Sequence, residues 1–308
     1  MDTMDSRSIS HSSISTDPVE GYVETDTGRV HYLDWGGDGP QVHLLHANGF
    51  CAGTYTPMVE YFRDWFHVVA SDVRGHGGSS NAAQLPVRHW KVFSDDLKQV
   101  VTHAMQPPVI GIGHSLGAVT TLIAAVQHPH LFRAIILMDP VIFSRRILWL
   151  IRIFRAVGLM WLFPLARGAR RRKAVFENKT AAFKRFAAGR GIFKTWSKDF
   201  IDAYLECGLL EKDEETAVLQ CDPELEAQIF ESVPVDAWSY ARRVQCPVLV
   251  MRGEMSDTFQ AGPAERLGSV VSDYELRTIK GTGHFLPMER PDACAGEILA
   301  YLDRRGLC

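Results

Sequence analysis

The stretch Val109-Ile-Gly-Ile-Gly-His-Ser-Leu-Gly-Ala-Val119 decides how this chain folds. Residues 109–112 form a short apolar run of the kind a buried strand needs, and residues 116–125 carry the small and branched apolar side chains of a buried helix. Between them Gly113, Ser115 and Gly117 have the G-x-S-x-G spacing of a nucleophile elbow. A backbone that reverses within two residues lifts one side chain out at the bend. A Cβ at either glycine is expected to strike the incoming strand or the outgoing helix. A serine in an ordinary turn accounts for the spacing alone, but not for a strand before it and a helix after it.

Outward from the elbow, the same alternation repeats. Residues 21–25 and 29–34 flank Asp26-Thr27-Gly28 and read as a hairpin, with Gly28 at positive φ. Residues 41–45, 67–71, 133–138, 247–252 and 274–279 read as further strands. Helical patterns fall at 55–62, 92–104, 261–267 and 291–302. Near-continuous apolar strands alternating with helices define the class as α/β, with a mostly parallel doubly wound sheet covered on both faces.

From residue 141 to 236 the alternation stops, and helical patterns take over at 145–163, 169–188, 193–207 and 223–231; only 217–220 reads as extended. The expected organisation is therefore a disordered tail over 1–19, a core over 20–140 and 237–308, and a helical cap inserted over 141–236. The chain leaves the core at a strand's C-terminal edge, so the insertion is positioned to cover the crevice where the serine stands.

Composition removes several function classes. With 46% hydrophobic residues and a net charge of -3, the chain has no nucleic-acid footprint. The Ser-, Thr- and Asp-rich start lacks the apolar segment of a secretory signal. Residues 147–166 are the most lipid-like, yet Arg152 and Arg155 leave no uncharged run long enough to span a bilayer. Cys51, Cys207, Cys221, Cys246, Cys294 and Cys308 are scattered without a C-x-x-C pair or metal spacing, so the expectation is free thiols in a cytoplasmic setting. Gly111-Ile-Gly113 is not a dinucleotide fingerprint, because the next glycine falls one position late. No cofactor and no metal are expected.

A serine hydroxyl attacks well only when a base takes its proton, and an imidazole held by a carboxylate does this. Ser115, Asp257 and His284 each follow a strand, and in a parallel sheet such ends converge on one rim. Asp257 competes with Asp139, which also follows a strand but precedes Pro140 at the entrance to the cap. Gly281 and Gly283 give the loop carrying His284 the freedom to reach the rim.

At this point the sequence resembles the α/β-hydrolase superfamily, in its capped esterase, lipase and C–C hydrolase branch, from about residue 21 to 302. Besides Gly-His-Ser115-Leu-Gly, the resemblance rests on Leu-Leu-His46-Ala-Asn-Gly-Phe, Ser-Asp72-Val-Arg74-Gly-His76-Gly, Gly253-Glu-Met-Ser-Asp257 and Gly-Thr-Gly-His284-Phe. It implies an acyl-enzyme on Ser115, with His284 as base and then acid and Asp257 as orienter. It also implies an oxyanion hole from the amide of Leu116 and one near Asn48. Ala47 stands where the family usually has glycine, which leaves Asn48, Gly49 and Phe50 open as the second donor. Arg74 and His76 resemble a loop that braces the elbow. Serine at the elbow excludes dehalogenase and epoxide hydrolase chemistry, which need Asp there.

Substrate preference should lie in the cap. Trp149, Met160 and Trp161, with Phe50 and Gly49, are candidates for an apolar pocket, and His114 either lines it or hydrogen-bonds behind it. Arg145, Arg146, Arg170, Arg171, Arg172 and Lys173 form either a solvated basic face or an attraction for anionic lipid heads, giving transient membrane-surface contact through the cap. The leading expectation is a serine hydrolase of a small-molecule carboxylic ester with an apolar acyl group. The alternatives are a lysophospholipase or monoglyceride-type lipase on a lipid-like substrate, a C–C bond hydrolase, and a non-catalytic receptor on the same fold. Oligomeric state is open.

Overall fold

The computed structural model describes residues 17–26, 28–79, 87–188, 191–213 and 215–308. Most of the tail expected before Glu20 lies outside these residues. The chain forms β1 (Val19–Thr25), β2 (Gly28–Asp34), β3 (Gln41–Leu45), α1 (Thr56–Val59), β4 (His67–Ser71), α2 (Lys91–Ala104), β5 (Val109–His114), α3 (Leu116–Gln127) and β6 (Phe132–Met138). The insertion follows as α4 (Arg145–Ala156), α5 (Pro164–Arg170), β7 (Val175–Phe176), α6 (Lys179–Ala187), α7 (Lys198–Gly208), β8 (Leu209–Asp213), β9 (Thr216–Leu219) and α8 (Pro223–Glu231). The core resumes with α9 (Ala237–Ala241), β10 (Val248–Gly253), α10 (Ala261–Gly268), β11 (Tyr274–Ile279), α11 (Leu286–Glu289) and α12 (Pro291–Arg304).

The main sheet has eight strands in the order β1-β2-β4-β3-β5-β6-β10-β11. β1, β2 and β4 pair antiparallel, and β4, β3, β5, β6, β10 and β11 pair parallel in turn. Side chains alternate across a strand, and both faces are buried. Ile110, Ile112, Ile136, Met138, Leu249 and Met251 enter one core, whereas Val109, Ile135, Leu137, Val248 and Val250 enter the other. The first face packs against Ile298, Tyr301 and Leu302 of α12, and the second against Phe93 and Leu97 of α2 and the buried α3. The expected doubly wound sheet is present, with β5 near its middle.

The cap departs from the all-helical pattern. The helix expected over 145–163 stops where Gly158 takes φ +70°, and Pro164 opens a separate helix at its first turn. β7, β9 and β8 form a small antiparallel sheet, of which only the 217–220 stretch was legible in advance. Its strands are only two to five residues long, too short for period-2 alternation to stand out.

The free-thiol expectation is corrected for one pair. Cys51, in the loop after β3, is disulfide-bonded to Cys207 of α7 with a Cα–Cα distance of 6.2 Å. The bond ties the core loop beside the elbow to the cap across 156 residues. Alkylation of the unfolded chain without reductant should therefore modify four thiols, Cys221, Cys246, Cys294 and Cys308, and all six only after reduction. Reduction should lower stability by about 2–5 kcal/mol. Six reactive thiols before reduction would contradict the bond.

Candidate active site

Ser115 lies between β5 and α3 with φ +56°, one of two described non-glycine residues at positive φ. Such backbone is strained for a side-chain-bearing residue and persists only where surroundings enforce it. The enforcement is close packing. A Cβ at Gly113 would lie 2.4 Å from the backbone of Gly117, and one at Gly117 would lie 2.1 Å from the Leu45 carbonyl. The second obstruction is thus the neighbouring β3 end, not the elbow's own strand.

His284 follows β11 and joins two groups from other strand ends. Its Nε2 is 2.9 Å from Ser115 Oγ, and its Nδ1 is 2.7 Å from Asp139 Oδ1. Asp139 is the other positive-φ residue, at +43°, and its side chain is fully buried at the end of β6. Its remaining acceptor capacity is filled by Ser256 Oγ at 2.6 Å and by the Gly253 amide at 2.9 Å. Asp257, the expected partner of the histidine, does not meet it. It is exposed and accepts a bond from Thr258 at 3.3 Å, while the loop's contribution to Asp139 comes from Ser256 one residue earlier. The carboxylate on His284 is therefore corrected from Asp257 to Asp139. β6 and β10 end side by side on the rim, so the loop conformations beyond those ends select between the two.

The loop after β3 is fixed by buried groups. Gly49 N–H donates to His76 Nε2 at 3.0 Å, Phe50 N–H to the Ala47 carbonyl at 3.2 Å, and Ala47 N–H to Tyr55 Oη at 3.2 Å. The Asn48 side-chain amide donates to the Glu226 carbonyl of α8, which commits it to the cap rather than to a substrate. Leu116 opens α3, where a backbone N–H has no intrahelical partner. Arg74 pairs through two bonds with Asp96, and His76 holds Gly49, so both brace the loops as the sequence suggested.

His114 resolves as a group behind the site. Tyr55 O–H donates to its Nδ1 at 2.6 Å, and its Nε2–H donates to the His284 carbonyl at 2.9 Å. Tyr55 thus links the Ala47 amide to the backbone of His284, a role no sequence motif announced. Burial lowers His114 well below the ordinary histidine range.

Burial also pushes His43 and His76 down to about 3. Their folded values lie below the unfolded value of about 6.5, so the unfolded chain binds more protons as pH falls. The stability they contribute is present above pH 6.5 and lost on acidification toward 3. Each should cost about 2 kcal/mol at pH 5 relative to pH 7. Urea midpoints should fall accordingly, and a midpoint flat over this interval would contradict the buried neutral histidines.

A cavity of about 840 Å³ opens beside the site. Asn48, Phe50, Phe285, Phe186, Phe193 and Phe230 line it with Leu165 and Ile192, and Arg171, Arg172, Lys173, Arg185 and Glu226 supply its charge. Arg172 pairs with Glu226 at 2.8 Å and contacts the Tyr204 hydroxyl. Phe50 lines this cavity, and Gly49 borders a small adjoining space. Trp149, Met160 and Trp161 do not line it: Trp149 and Trp161 are 62% and 55% exposed, and Met160 packs near Arg155 and Ser232 instead. An apolar helix is legible in sequence, but which way its apolar side chains point is not.

The model of the alpha/beta hydrolase family matches residues 44–297. The chain belongs to that family. It is 28% identical over 122 residues to an uncharacterized hydrolase of Bacillus subtilis, which is 40% of this chain and 45% of that protein. It is 24% identical over 271 residues to 2-(acetamidomethylene)succinate hydrolase of Mesorhizobium japonicum, covering 87% and 89% of the two chains. A crystal structure of E-2-(acetamidomethylene)succinate hydrolase superimposes with a TM-score of 0.76 at 21% identity, over 93% of this chain and 99% of that one. The family is one of hydrolases, and this chain carries Ser115, His284 and Asp139 on the C-terminal rim of the sheet.

Proposed function

We propose that the protein is a cofactor-independent serine hydrolase that cleaves a carboxylic ester with an apolar acyl group. The observation that carries this is the single imidazole bonded on one side to Ser115 and on the other to the buried Asp139. As Ser115 Oγ attacks the ester carbonyl, His284 Nε2 takes its proton, and Asp139 holds the ring and stabilises the imidazolium. Nε2–H then protonates the departing alcohol, leaving the acyl group on Ser115. Water, deprotonated by the same nitrogen, releases the acid.

The tetrahedral oxyanion needs two converging N–H donors. Leu116 supplies one from the start of α3. Within residues 47–50 the amides of Ala47, Gly49 and Phe50 are engaged elsewhere, which leaves Asn48 N–H as the second donor. The five phenylalanines of the cavity supply the apolar wall for the acyl group.

A second reading concerns the substrate's far end. Arg171, Lys173 and Arg185 line the cavity without a carboxylate partner among the described residues, and the Mesorhizobium relative is named for a succinate derivative. An ester bearing a carboxylate at that end is favoured by these charges. A fluorophosphonate probe should label Ser115, and p-nitrophenyl esters of increasing chain length should give rising kcat/KM. Labelling at another residue defeats the hydrolase reading, and a flat chain-length series defeats the apolar wall. Preference for succinyl over butyryl esters would support the second reading.

A further inference from the structure

The apolar residues of α4 that fail to reach the cavity share one outward side. Trp149, Leu150, Ile153, Phe154 and Val157 recur at helical spacing opposite the buried Leu148 and Ile151. Trp161 and Leu165, in the turn and helix that follow, are exposed as well. Five exposed large apolar side chains on one side of a helix mark a surface with a partner.

Charge identifies the partner. Residues 145–173 contain eight arginines and one lysine and no Asp or Glu, within a protein of net charge -3. Arg170 and Arg172 are paired with Glu224, Glu231 and Glu226 from α8. Arg266 lies near Arg145 and Arg242, so like charge accumulates beside the start of α4. A second copy of the chain on this face would set arginines against arginines across a twofold axis. A bilayer with anionic heads offers hydrocarbon to the tryptophans and counter-charge to the arginines.

We propose that this cap face docks on an anionic lipid bilayer, with Trp149 and Phe154 entering the headgroup layer and Arg145, Arg146 and Arg167 against its phosphates. Leu165 of the next helix, α5, is exposed and lines the cavity. Docking stands independently of the catalytic reading.

The full-length protein is to be sedimented with vesicles of phosphatidylcholine alone and of phosphatidylcholine with phosphatidylserine. Binding is expected to the anionic vesicles and to weaken as salt rises. The double variant Trp149→Ser, Phe154→Ser should lose about tenfold or more in affinity while still turning over a soluble short-chain ester. Arg145→Gln with Arg146→Gln, which leaves the apolar residues in place, should lose the salt-sensitive part. Ser115→Ala should bind vesicles like the parent protein, so a failed hydrolase reading leaves this test intact. Equal binding to neutral vesicles, binding unaffected by either double variant, or a dimer abolished by Trp149→Ser, Phe154→Ser without vesicle binding would each overturn the proposal.

Discussion

Asp139→Asn is expected to lower kcat about 10⁴-fold, and Asp257→Asn to leave it within about twofold. In the folded protein Asp139 accepts from His284 Nδ1, Ser256 Oγ and Gly253 N–H together, so its two oxygens are committed and unsolvated. An amide in its place loses the charge that stabilises the imidazolium, and its NH₂ group would face donors. Asp257 is exposed with one neighbouring hydroxyl bond, so its amide variant alters only solvated charge. Steady-state rates on one soluble ester for the parent and both variants decide the matter. The reverse ranking would return the role to Asp257, and equal small losses would remove a carboxylate from the mechanism.

Ser115→Ala should be the larger loss, about 10⁶-fold in kcat, with fluorophosphonate labelling abolished. Among the described residues Ser115 Oγ is the one hydroxyl at hydrogen-bond distance from His284 Nε2, so no other alcohol there is placed for the imidazole to activate. Folding should survive, because the hydroxyl is replaced without new volume and the φ of +56° is enforced by Gly113 and Gly117 packing. Alanine is strained there as serine is. An unchanged circular dichroism spectrum and urea midpoint, beside lost turnover, separate chemistry from misfolding. Retained turnover in the purified variant would move the nucleophile elsewhere.

The sequence by itself determined the sharp turn at Ser115, the strand and helix alternation of the sheet, and the serine and histidine that meet. These follow from local rules: period-2 and period-3.6 burial, and glycines required where backbones approach closely. Tertiary structure alone decided which carboxylate holds His284, because Asp139 and Asp257 both follow strands and only the folded loops select between them. It also decided that Cys51 meets Cys207, 156 residues away, and that Trp149 and Trp161 face outward while Phe186, Phe193 and Phe230 wall the cavity. Apolar patterning states that a helix has a face to cover. What covers that face is a property of neighbours distant in the chain, and local spacing carries no information about them.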